Sequence, residues 1–373
     1  MRIREVLVSS LEIPMKKTFA TSRAKQDVAK HVIVQLLSDD GLVGIGEGAP
    51  RPHISGETVE STFLLIEKYL APPLVGKDPT AIAAIHREMD RTIELNPSAK
   101  CAIDLALYDL LGKRFGVPVY ELLGGRTKDS LHINGTCDIQ APGLVSEALK
   151  RRLKQGFRYS IKIKIGTDPA TDIERVRIAR EAIGHGIDLI ADANQGWDVA
   201  TAIRVLRKID DLDLQVAEQP VYWKDLSGMA QVTGAVRSSV MADESVWSSY
   251  DAMQIIQMKA ARMLNIKLIK TGGLHDAHKI ATIAQGANMR CMVGCTLETS
   301  ILCAAQAHLA MASENIAYID SLTPGEFLVE DPAQGLSWTG DLVVLPDKPG
   351  LGVELKEATM SKYTTRRSSI KKS

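Results

Sequence analysis

Short apolar runs recur along the chain at a nearly constant interval, and most end in a polar residue. Eight such runs end at residues 136, 164, 192, 218, 243, 267, 294 and 320, so that successive ends are 24 to 28 residues apart. One strand, one helix and two loops occupy about this length in a β/α repeat, and eight parallel strands can close into a barrel. The pattern therefore predicts a (β/α)8-type, TIM-like barrel over residues 126–320.

The segments between these runs have apolar residues at helical spacing. Asp168 and Pro169 are expected to begin one helix, whose apolar positions continue to Ile183 before Gly184 ends it. Asp198 is expected to cap the next helix in the same way. A crossover helix after each predicted strand is what a parallel barrel requires.

The first 125 residues do not follow this β/α period. Two runs, at 30–37 and 42–47, are typical of strands, and three segments near 57–71, 79–93 and 98–116 have helical periodicity. We therefore expect a separate α+β domain at 1–125 beside the α/β barrel. Residues 361–373 mix Ser, Thr and basic side chains without an apolar face, which predicts a disordered tail.

Charge and composition exclude some classes of protein. The 45 basic and 45 acidic side chains cancel, which leaves no electrostatic argument for binding nucleic acid or a membrane surface. The five cysteines lack CxxC spacing, and Cys291 and Cys295 are expected to be small core residues. No apolar run approaches the length of a membrane span, so a cytoplasmic protein is expected.

Acidic residues end three successive apolar runs. They are Asp192, Glu218 and Asp243, at intervals of 26 and 25 residues. The carboxyl ends of barrel strands meet at the face that holds the active site. Carboxylates that meet there repel one another unless a hard cation lies between them, and Mg²⁺ prefers such oxygen ligands. The pattern predicts a magnesium site. Three ordinary surface or helix-capping acids would not be expected to end successive strands at the same position of the repeat.

Lysines end the runs on both sides of these acids. Lys162 and Lys164 lie two residues apart on one strand and therefore face the same side. A second ammonium about 6.6 Å away costs about 2.5 kcal/mol at an effective dielectric near 20, which would lower the pKa of Lys164 toward that of a base. Lys267 ends a strand on the opposite side of the ring. One lysine would remove a proton α to a carboxylate, and the other would deliver a proton to the opposite face.

These residues lie in motifs that resemble the enolase superfamily, muconate-lactonizing enzyme subgroup. The motifs are Lys162-Ile-Lys164, Asp192-Ala-Asn-Gln-Gly-Trp197, Glu218-Gln-Pro220, Ala242-Asp-Glu-Ser245, Asn265-Ile-Lys-Leu-Ile-Lys-Thr-Gly-Gly273 and Gly294-Cys-Thr-Leu-Glu298. The resemblance implies that residues 1–125 form a capping domain, to which a C-terminal segment at 321–360 returns. It also implies a homo-oligomer that acts on a small carboxylate substrate.

The resemblance assigns roles to individual residues. One Mg²⁺ per subunit, with Mn²⁺ as a substitute, would be held by Asp192, Glu218 and Asp243, and would stabilise an enediolate. Lys164 and Lys267 would be the acid/base pair. Three further residues would support them, namely Lys162, Asn194 and Glu244.

Within this subgroup the chain most resembles dipeptide epimerases of the L-Ala-D/L-Glu type, which are isomerases acting on amino-acid derivatives. Thr136, Glu298 and Asp320 are expected to contact the substrate. Those epimerases have Asp-x-Asp at the eighth strand end, whereas this chain has Asp320-Ser-Leu322, so one carboxylate that would hold the substrate ammonium is missing. Four alternatives stay open: N-acyl amino acid racemisation, o-succinylbenzoate-type dehydration, muconate-type cycloisomerisation, and an inactive barrel that serves as a binding module.

Two loops of the first domain are expected to set substrate specificity, at residues 18–25 and 48–56. Arg23, Arg51 and His53 supply positive charge there, which would suit a substrate with a second carboxylate. Trp197 and Trp223 follow the third and fourth barrel strands, and either is a candidate to line the pocket.

Overall fold

The computed structural model describes residues 1–20, 25–320 and 323–371. Among these, four strands form an antiparallel sheet in the order Thr364–Lys371, Ile3–Ala20, Lys25–Ser38 and Val43–Gly48. The helical segments that follow this sheet in the chain are Pro52–Ser55, Val59–Leu65, Ile66–Leu70, Pro72–Leu74, Ile82–Thr92, Pro97–Phe115 and Val119–Leu122. The two predicted strands and three predicted helices are confirmed, whereas strand Ile3–Ala20 has no counterpart in the sequence prediction.

The long helix Pro97–Phe115 packs directly against strand Val43–Gly48. The strand presents alternate glycines to the helix, and a Cβ atom on Gly46 would lie 2.0 Å from the carbonyl oxygen of Ala102. This close approach requires glycine at that position. The helix is buried along most of its length, which fits its position between the sheet and the barrel.

The predicted barrel is confirmed. Within residues 135–320 the described strands form one parallel eight-stranded sheet: Gly135–Cys137, Ser160–Lys164, Asp188–Asp192, Leu214–Glu218, Ser239–Ala242, Met263–Ile266, Arg290–Val293 and Ile316–Ile319. A parallel bridge between Ile133 and Ile319 joins the first strand region to the last. Every strand ends within one residue of its predicted end, because the β/α period fixes these positions.

Helices cover the outside of the barrel. They are Pro142–Lys154, Pro169–Ile183, Val199–Ile209, Asp210–Leu212, Leu226–Ala235, Ser249–Gln257, Leu268–Thr271, Leu274–Gly286 and Ser300–Ala312. The predicted caps are present, since Asp168 and Asp198 accept hydrogen bonds from the amides of Thr171 and Thr201. In the described part of the chain, no helix combines the length and the apolar character needed to span a membrane.

The barrel interior is apolar below the carboxyl ends of the strands. Six buried side chains form a separate cluster there: Ile190, Val216, Met241, Met263, Met292 and Tyr318. Ile190 lies two residues before Asp192 and therefore points to the same inner side of the sheet. This apolar layer lies below the charged residues at the carboxyl ends of the strands.

The remaining chain crosses back to the first sheet. Its elements are the strands Ala333–Gln334, Ser337–Thr339, Leu342–Val344 and Glu354–Leu355 and the helices Pro324–Phe327 and Glu357–Tyr363. Strand Leu342–Val344 pairs with Leu131–His132, which precedes the barrel. The predicted domain boundary at residue 125 stays a prediction.

The prediction of a disordered tail at 361–373 is wrong for its described residues. Residues up to Tyr363 belong to a helix, and Thr364–Lys371 pairs antiparallel with Ile3–Ala20, with Val6 opposite Ile370. The physical reason is that an edge strand gains its hydrogen bonds from the backbone of its neighbour, so a polar sequence can occupy it. Arg366 adds an ion pair with Glu67 at 3.0 Å.

Candidate active site

The strand ends bring the predicted acids and lysines to one end of the barrel. Lys164, Asp192 and Glu218 end three neighbouring strands, and the register pairs Lys164 with Asp192 and Asp192 with Glu218. Asp243 and Lys267 each follow the last residue of the next two strands. Parallel strands in register place these side chains side by side, as the sequence predicted.

Each acid at this end of the barrel faces a lysine or an amide. Lys164 Nζ lies 2.5 Å from Asp192 Oδ2, and Lys267 Nζ lies 2.6 Å from Asp243 Oδ2. Glu218 accepts a hydrogen bond from Asn265 Nδ2 at 2.7 Å. Within the described residues, no three His, Cys, Asp or Glu side chains are grouped closely enough to hold a metal ion. In this arrangement Lys164 and Lys267 hold Asp192 and Asp243, and the sharing of one cation by the three carboxylates stays a prediction.

The chemistry of the donors nevertheless fits a hard cation. Glu218 Oε2 and Glu244 Oε2 are buried oxygens without an aligned hydrogen bond, although Lys162 Nζ lies 2.9 Å from the former. Burial and repulsion by Asp192 raise the pKa of Glu218 to about 8. Burial and repulsion by Asp243 and Asp192 also raise the pKa of Glu244. A divalent cation would relieve this repulsion between buried carboxylates.

Lys164 and Lys267 are more exposed than the other two lysines of this cluster. Their side chains are 21% and 12% exposed, whereas those of Lys162 and Lys270 are 2% and 1% exposed. The Lys162 ammonium acts on the pKa of Lys164 in the predicted direction, but it is not the largest influence. Burial and the Lys162 ammonium lower the pKa of Lys164, but the carboxylates of Asp192 and Glu218 outweigh them, and the pKa is raised.

Asn194 and Glu244 make the contacts expected of supporting residues. Asn194 Oδ1 accepts a hydrogen bond from Lys164 Nζ at 3.0 Å, and its main-chain amide donates to Asp192 at 2.9 Å. Its Nδ2 donates to Glu244 at 3.4 Å. The left-handed φ of 41° at Asn194 accompanies an arrangement in which its side chain reaches two polar groups and its amide a third.

Three residues at the site lie in the quoted motifs but were not assigned from the sequence. Lys270 Nζ donates to Asp243 Oδ1 at 2.7 Å, and Gln219 Oε1 accepts from the main-chain amide of Asp243 at 2.9 Å. Asn265 is the partner of Glu218 described above. In the sequence, each lies one to three residues from an assigned residue. That position alone does not show which way its side chain points.

Two cavities adjoin the lysines. The larger, of about 250 Å³, is lined by Gln26, Arg51, His53, Ile54, Lys164, Asn194, Gln195, Trp223, Asp243, Glu244, Trp247, Lys267, Lys270, Cys295, Thr296 and Leu297. The smaller, of about 80 Å³, includes Thr136, Lys162, Asp320, Lys17 and Arg152 in its wall and shares Lys164 with the larger. Trp223 thus lines the site with Trp247, their rings 6.3 Å apart, whereas Trp197 is buried elsewhere.

The residues predicted to set substrate specificity lie in different environments. Arg51 is 1% exposed, and its guanidinium donates to the carbonyl oxygens of Leu297, Pro50 and Lys30. Arg51 also lines the larger cavity, and its Nε is buried without a hydrogen-bond partner, so its role toward substrate stays a prediction. His53 lines the larger cavity, and Arg23 lies outside the described residues.

Glu298 is buried behind the walls of these two cavities rather than in them. Its Oε1 accepts hydrogen bonds from the amide and hydroxyl of Thr296 at 2.8 and 3.0 Å. Burial and the nearby carboxylate of Glu47 raise the pKa of Glu298 to about 8. Its expected contact with substrate is therefore not supported by its position.

Comparison with known proteins places both parts of the chain. Residues 3–124 match the family described as mandelate racemase / muconate lactonizing enzyme, N-terminal domain, and residues 144–359 match the enolase C-terminal domain-like family. An L-Ala-D/L-Glu epimerase of Clostridium acetobutylicum is 39% identical over 95% of this chain and 99% of its own.

Solved structures agree with this placement. The N-succinyl Arg/Lys racemase of Bacillus cereus has a TM-score of 0.95 at 33% identity, covering 99% of this chain and 100% of that one. A dipeptide epimerase of Enterococcus faecalis, complexed with Mg and the dipeptide L-Leu-L-Tyr, has a TM-score of 0.91 at 38% identity, covering 95% and 100%.

Proposed function

Because the chain belongs to the mandelate racemase / muconate lactonizing enzyme family of the enolase superfamily, we propose that it is a Mg²⁺-dependent epimerase. It would remove and replace the proton α to a substrate carboxylate. Its relatives are named epimerases and racemases, which are isomerases acting on amino-acid derivatives.

One observation carries this proposal. Lys164 and Lys267 end the second and sixth strands of an eight-stranded barrel and both line the larger cavity. Each ammonium lies against a different acid, Asp192 or Asp243, and Glu218 ends the strand between these acids. Two lysines on opposite sides of a carboxylate-lined cavity suit proton transfer at the two faces of one carbon.

Asp192, Glu218 and Asp243 would hold Mg²⁺. When bound, Mg²⁺ would neutralise the negative charge that develops on the substrate carboxylate as its α-proton leaves. The family's solved dipeptide epimerases of Enterococcus faecalis and Cytophaga hutchinsonii are Mg complexes, which supports this choice of cation.

The lysines of this chain would do the proton transfer. Lys164, held by Asp192 and Asn194, would act on one face of the α-carbon, and Lys267, held by Asp243, on the other. Each would take the proton of one epimer as a free amine and deliver the proton of the other as an ammonium. Lys162, which is buried between Glu218 and Asp320, would balance the negative charge of these two carboxylates.

A dipeptide is the first candidate substrate. Relatives at 36–39% identity are named L-Ala-D/L-Glu epimerase, and another at 39% is named hydrophobic dipeptide epimerase. The aromatic pair Trp223 and Trp247 and the side chain of Ile54 give the larger cavity an apolar wall. Such a wall suits the side chain of the residue whose α-carbon reacts.

An N-acyl amino acid is the second candidate, and one contact favours it. Asp320 Oδ2 already lies 2.8 Å from the ammonium of Lys162, so this carboxylate is only partly free to hold a substrate ammonium. The wall of the smaller cavity also contains Lys17, which suits an acyl group that carries a carboxylate. The relative from Bacillus cereus is named N-succinyl-L-Arg/Lys racemase.

Exchange of the α-proton with solvent tests the proposal. The enzyme with Mg²⁺ is incubated in D₂O with L-Ala-L-Glu, L-Leu-L-Tyr or N-succinyl-L-Arg, and NMR follows loss of the α-hydrogen signal. We expect Mg²⁺-dependent exchange and formation of the other epimer with at least one probe. Absence of exchange with all three probes would contradict the proposal, and the ranking of probes decides between the two substrate classes.

A further inference from the structure

Lys270 is a second buried ammonium beside Lys267. Its side chain is 1% exposed, and its Nζ donates to Asp243 Oδ1 at 2.7 Å and to the main-chain carbonyl oxygen of Asp243. Burial of a lysine is unfavourable unless its charge and donors are matched. The contacts with Asp243 supply a matching charge and hydrogen-bond acceptors for this buried lysine.

A single helical turn brings the two lysines together. The short helix Leu268–Thr271 begins directly after Lys267, and the amides of Lys270 and Thr271 donate to the carbonyl oxygen of Lys267 at 2.9 and 3.1 Å. Side chains three residues apart in a helical turn lie on the same face. Both ammonium groups consequently reach the same carboxylate.

The two lysines divide the oxygens of Asp243 between them. Lys267 takes Oδ2 at 2.6 Å and Lys270 takes Oδ1 at 2.7 Å. The main-chain amide of Asp243 donates to Gln219 Oε1 at 2.9 Å. Lys270 thus fixes both the main chain and one carboxylate oxygen of Asp243, and it leaves the other oxygen directed at Lys267.

Among the described residues, the other candidate base has no equivalent partner. Lys162 is buried near Lys164, but it contacts Glu218 and Asp320 rather than Asp192, the acid that holds Lys164. Sharing of one carboxylate by two lysines is therefore a property of the Lys267 side of the site.

We infer that Lys270 is a positioning residue for Lys267: it holds Asp243 so that the Lys267 ammonium is kept at the α-carbon of the substrate. This inference rests on the proposed function. It predicts that loss of Lys270 impairs proton transfer on one face only. A lysine that merely offset the charge of the carboxylates would affect both faces, because Asp192, Glu218 and Asp243 would hold one Mg²⁺ that serves both.

The test compares exchange of the two epimers of one substrate. L-Ala-L-Glu and L-Ala-D-Glu are incubated separately with Mg²⁺ and enzyme in D₂O, and the Lys267→Ala variant identifies the epimer whose proton Lys267 removes. Lys270→Met should slow exchange of that epimer about tenfold or more and leave the other within about twofold. Equal slowing of both epimers, or no slowing, would overturn the inference. If Lys270→Met does not fold, Lys270→Gln, which keeps one donor, is assayed in its place.

The matched control is Lys279→Met. Lys279 is also a lysine hydrogen-bonded to an aspartate three residues away, Asp276, but it lies on the exposed face of helix Leu274–Gly286. We expect Lys279→Met to exchange both epimers at the parent rates. A loss on one face in this variant too would show that the assay does not report on Lys270.

A crystal structure of the Lys270 variant gives a second readout that needs no turnover. In metal-free Lys270→Met, Lys267 Nζ should move out of hydrogen-bond distance of Asp243 Oδ2, while Lys164 stays on Asp192. Retention of the Lys267 contact at its parent length would overturn the inference. If the parent enzyme exchanges neither dipeptide, the proposed substrate fails, and this structure alone decides the role of Lys270.

Discussion

Lys162 and Asp320 form a buried ion pair, with 2.8 Å between Nζ and Oδ2. Burial alone would raise the pKa of Asp320, but the Lys162 ammonium outweighs burial, and the pKa is lowered. The acid at the eighth strand end is therefore ionised and partly committed to a lysine of the protein. This pairing bears directly on which substrates the site can hold.

The residue two positions after Asp320 gives the first prediction. Leu322 lies outside the described residues, and in the sequence it occupies the position of a second acid. Leu322→Asp should raise kcat/KM for L-Ala-L-Glu about tenfold, because a second carboxylate would compensate the substrate ammonium by about 1.4 kcal/mol. Leu144→Asp, on an exposed helix position, is the control. A parent kcat/KM above about 10⁵ M⁻¹s⁻¹ that falls in Leu322→Asp would contradict this expectation.

Metal dependence gives the second prediction. Chelation should abolish activity and added Mg²⁺ should restore it. Asp243→Asn should lose most of its affinity for Mn²⁺, measured by electron paramagnetic resonance, while its circular dichroism stays that of the parent. Asp276→Asn, on the exposed helix surface, should bind like the parent. Parent-like Mn²⁺ affinity in Asp243→Asn would remove Asp243 from the ligand set.

His308 gives a prediction about stability and pH. This fully buried ring accepts from the amide of Tyr120 and donates to the carbonyl oxygen of Leu351, and burial lowers its pKa to about 4 from an ordinary value near 6.5. The unfolded state then binds more protons between these values, so stability is complete above pH 6.5 and falls as the pH drops toward 4. The loss contributed by His308 between pH 7 and pH 5 should be about 2 kcal/mol.

Urea unfolding at the two pH values measures this loss. His308→Gln, which keeps one acceptor and one donor, should reduce the difference in unfolding free energy by about that amount. The exposed ring of His185 provides the control, and His185→Gln should leave the difference unchanged. An unchanged difference in His308→Gln would mean that the ring is protonated in the folded protein.

The contact at Gly46 gives a prediction about packing. Gly46→Ala should lower the free energy of unfolding by roughly 2 kcal/mol or more, because its Cβ would meet the main chain of Ala102 at 2.0 Å. Gly143→Ala is the control, since its Cβ would meet no atom within 4 Å and it lies in helix Pro142–Lys154. That change should be neutral or slightly stabilising. Equal stability of the two variants by thermal unfolding would contradict the close approach.

Regular repetition made the barrel predictable from sequence. Strand ends such as Asp192 and Glu218 recur with a period that only a β/α repeat explains. Asp168 and Asp198 predict where helices begin, because each caps its helix by a local hydrogen bond. The tail strand Thr364–Lys371 was missed because its partner, Ile3–Ala20, is more than three hundred residues away and its stabilisation is mainly backbone pairing. Such long-range pairing leaves no local pattern.

The site was predictable in its composition but not in its contacts. The period predicts which residues end the strands. The direction in which each charged side chain points depends on neighbours from other elements. Arg51 carries the charge expected of a substrate-binding residue, but three carbonyl oxygens surround it. Lys270 lies three residues from Lys267, but only the helical turn after the strand shows that it contacts Asp243.

The central claim is that Lys164 and Lys267 act on opposite faces of one α-carbon. Its most direct test follows α-proton exchange of both epimers of the best substrate in Lys164→Ala and in Lys267→Ala, with Mg²⁺ in D₂O. We predict that neither variant epimerises, that each exchanges one epimer with solvent, and that the two variants exchange opposite epimers. Exchange of both epimers by both variants would contradict the account.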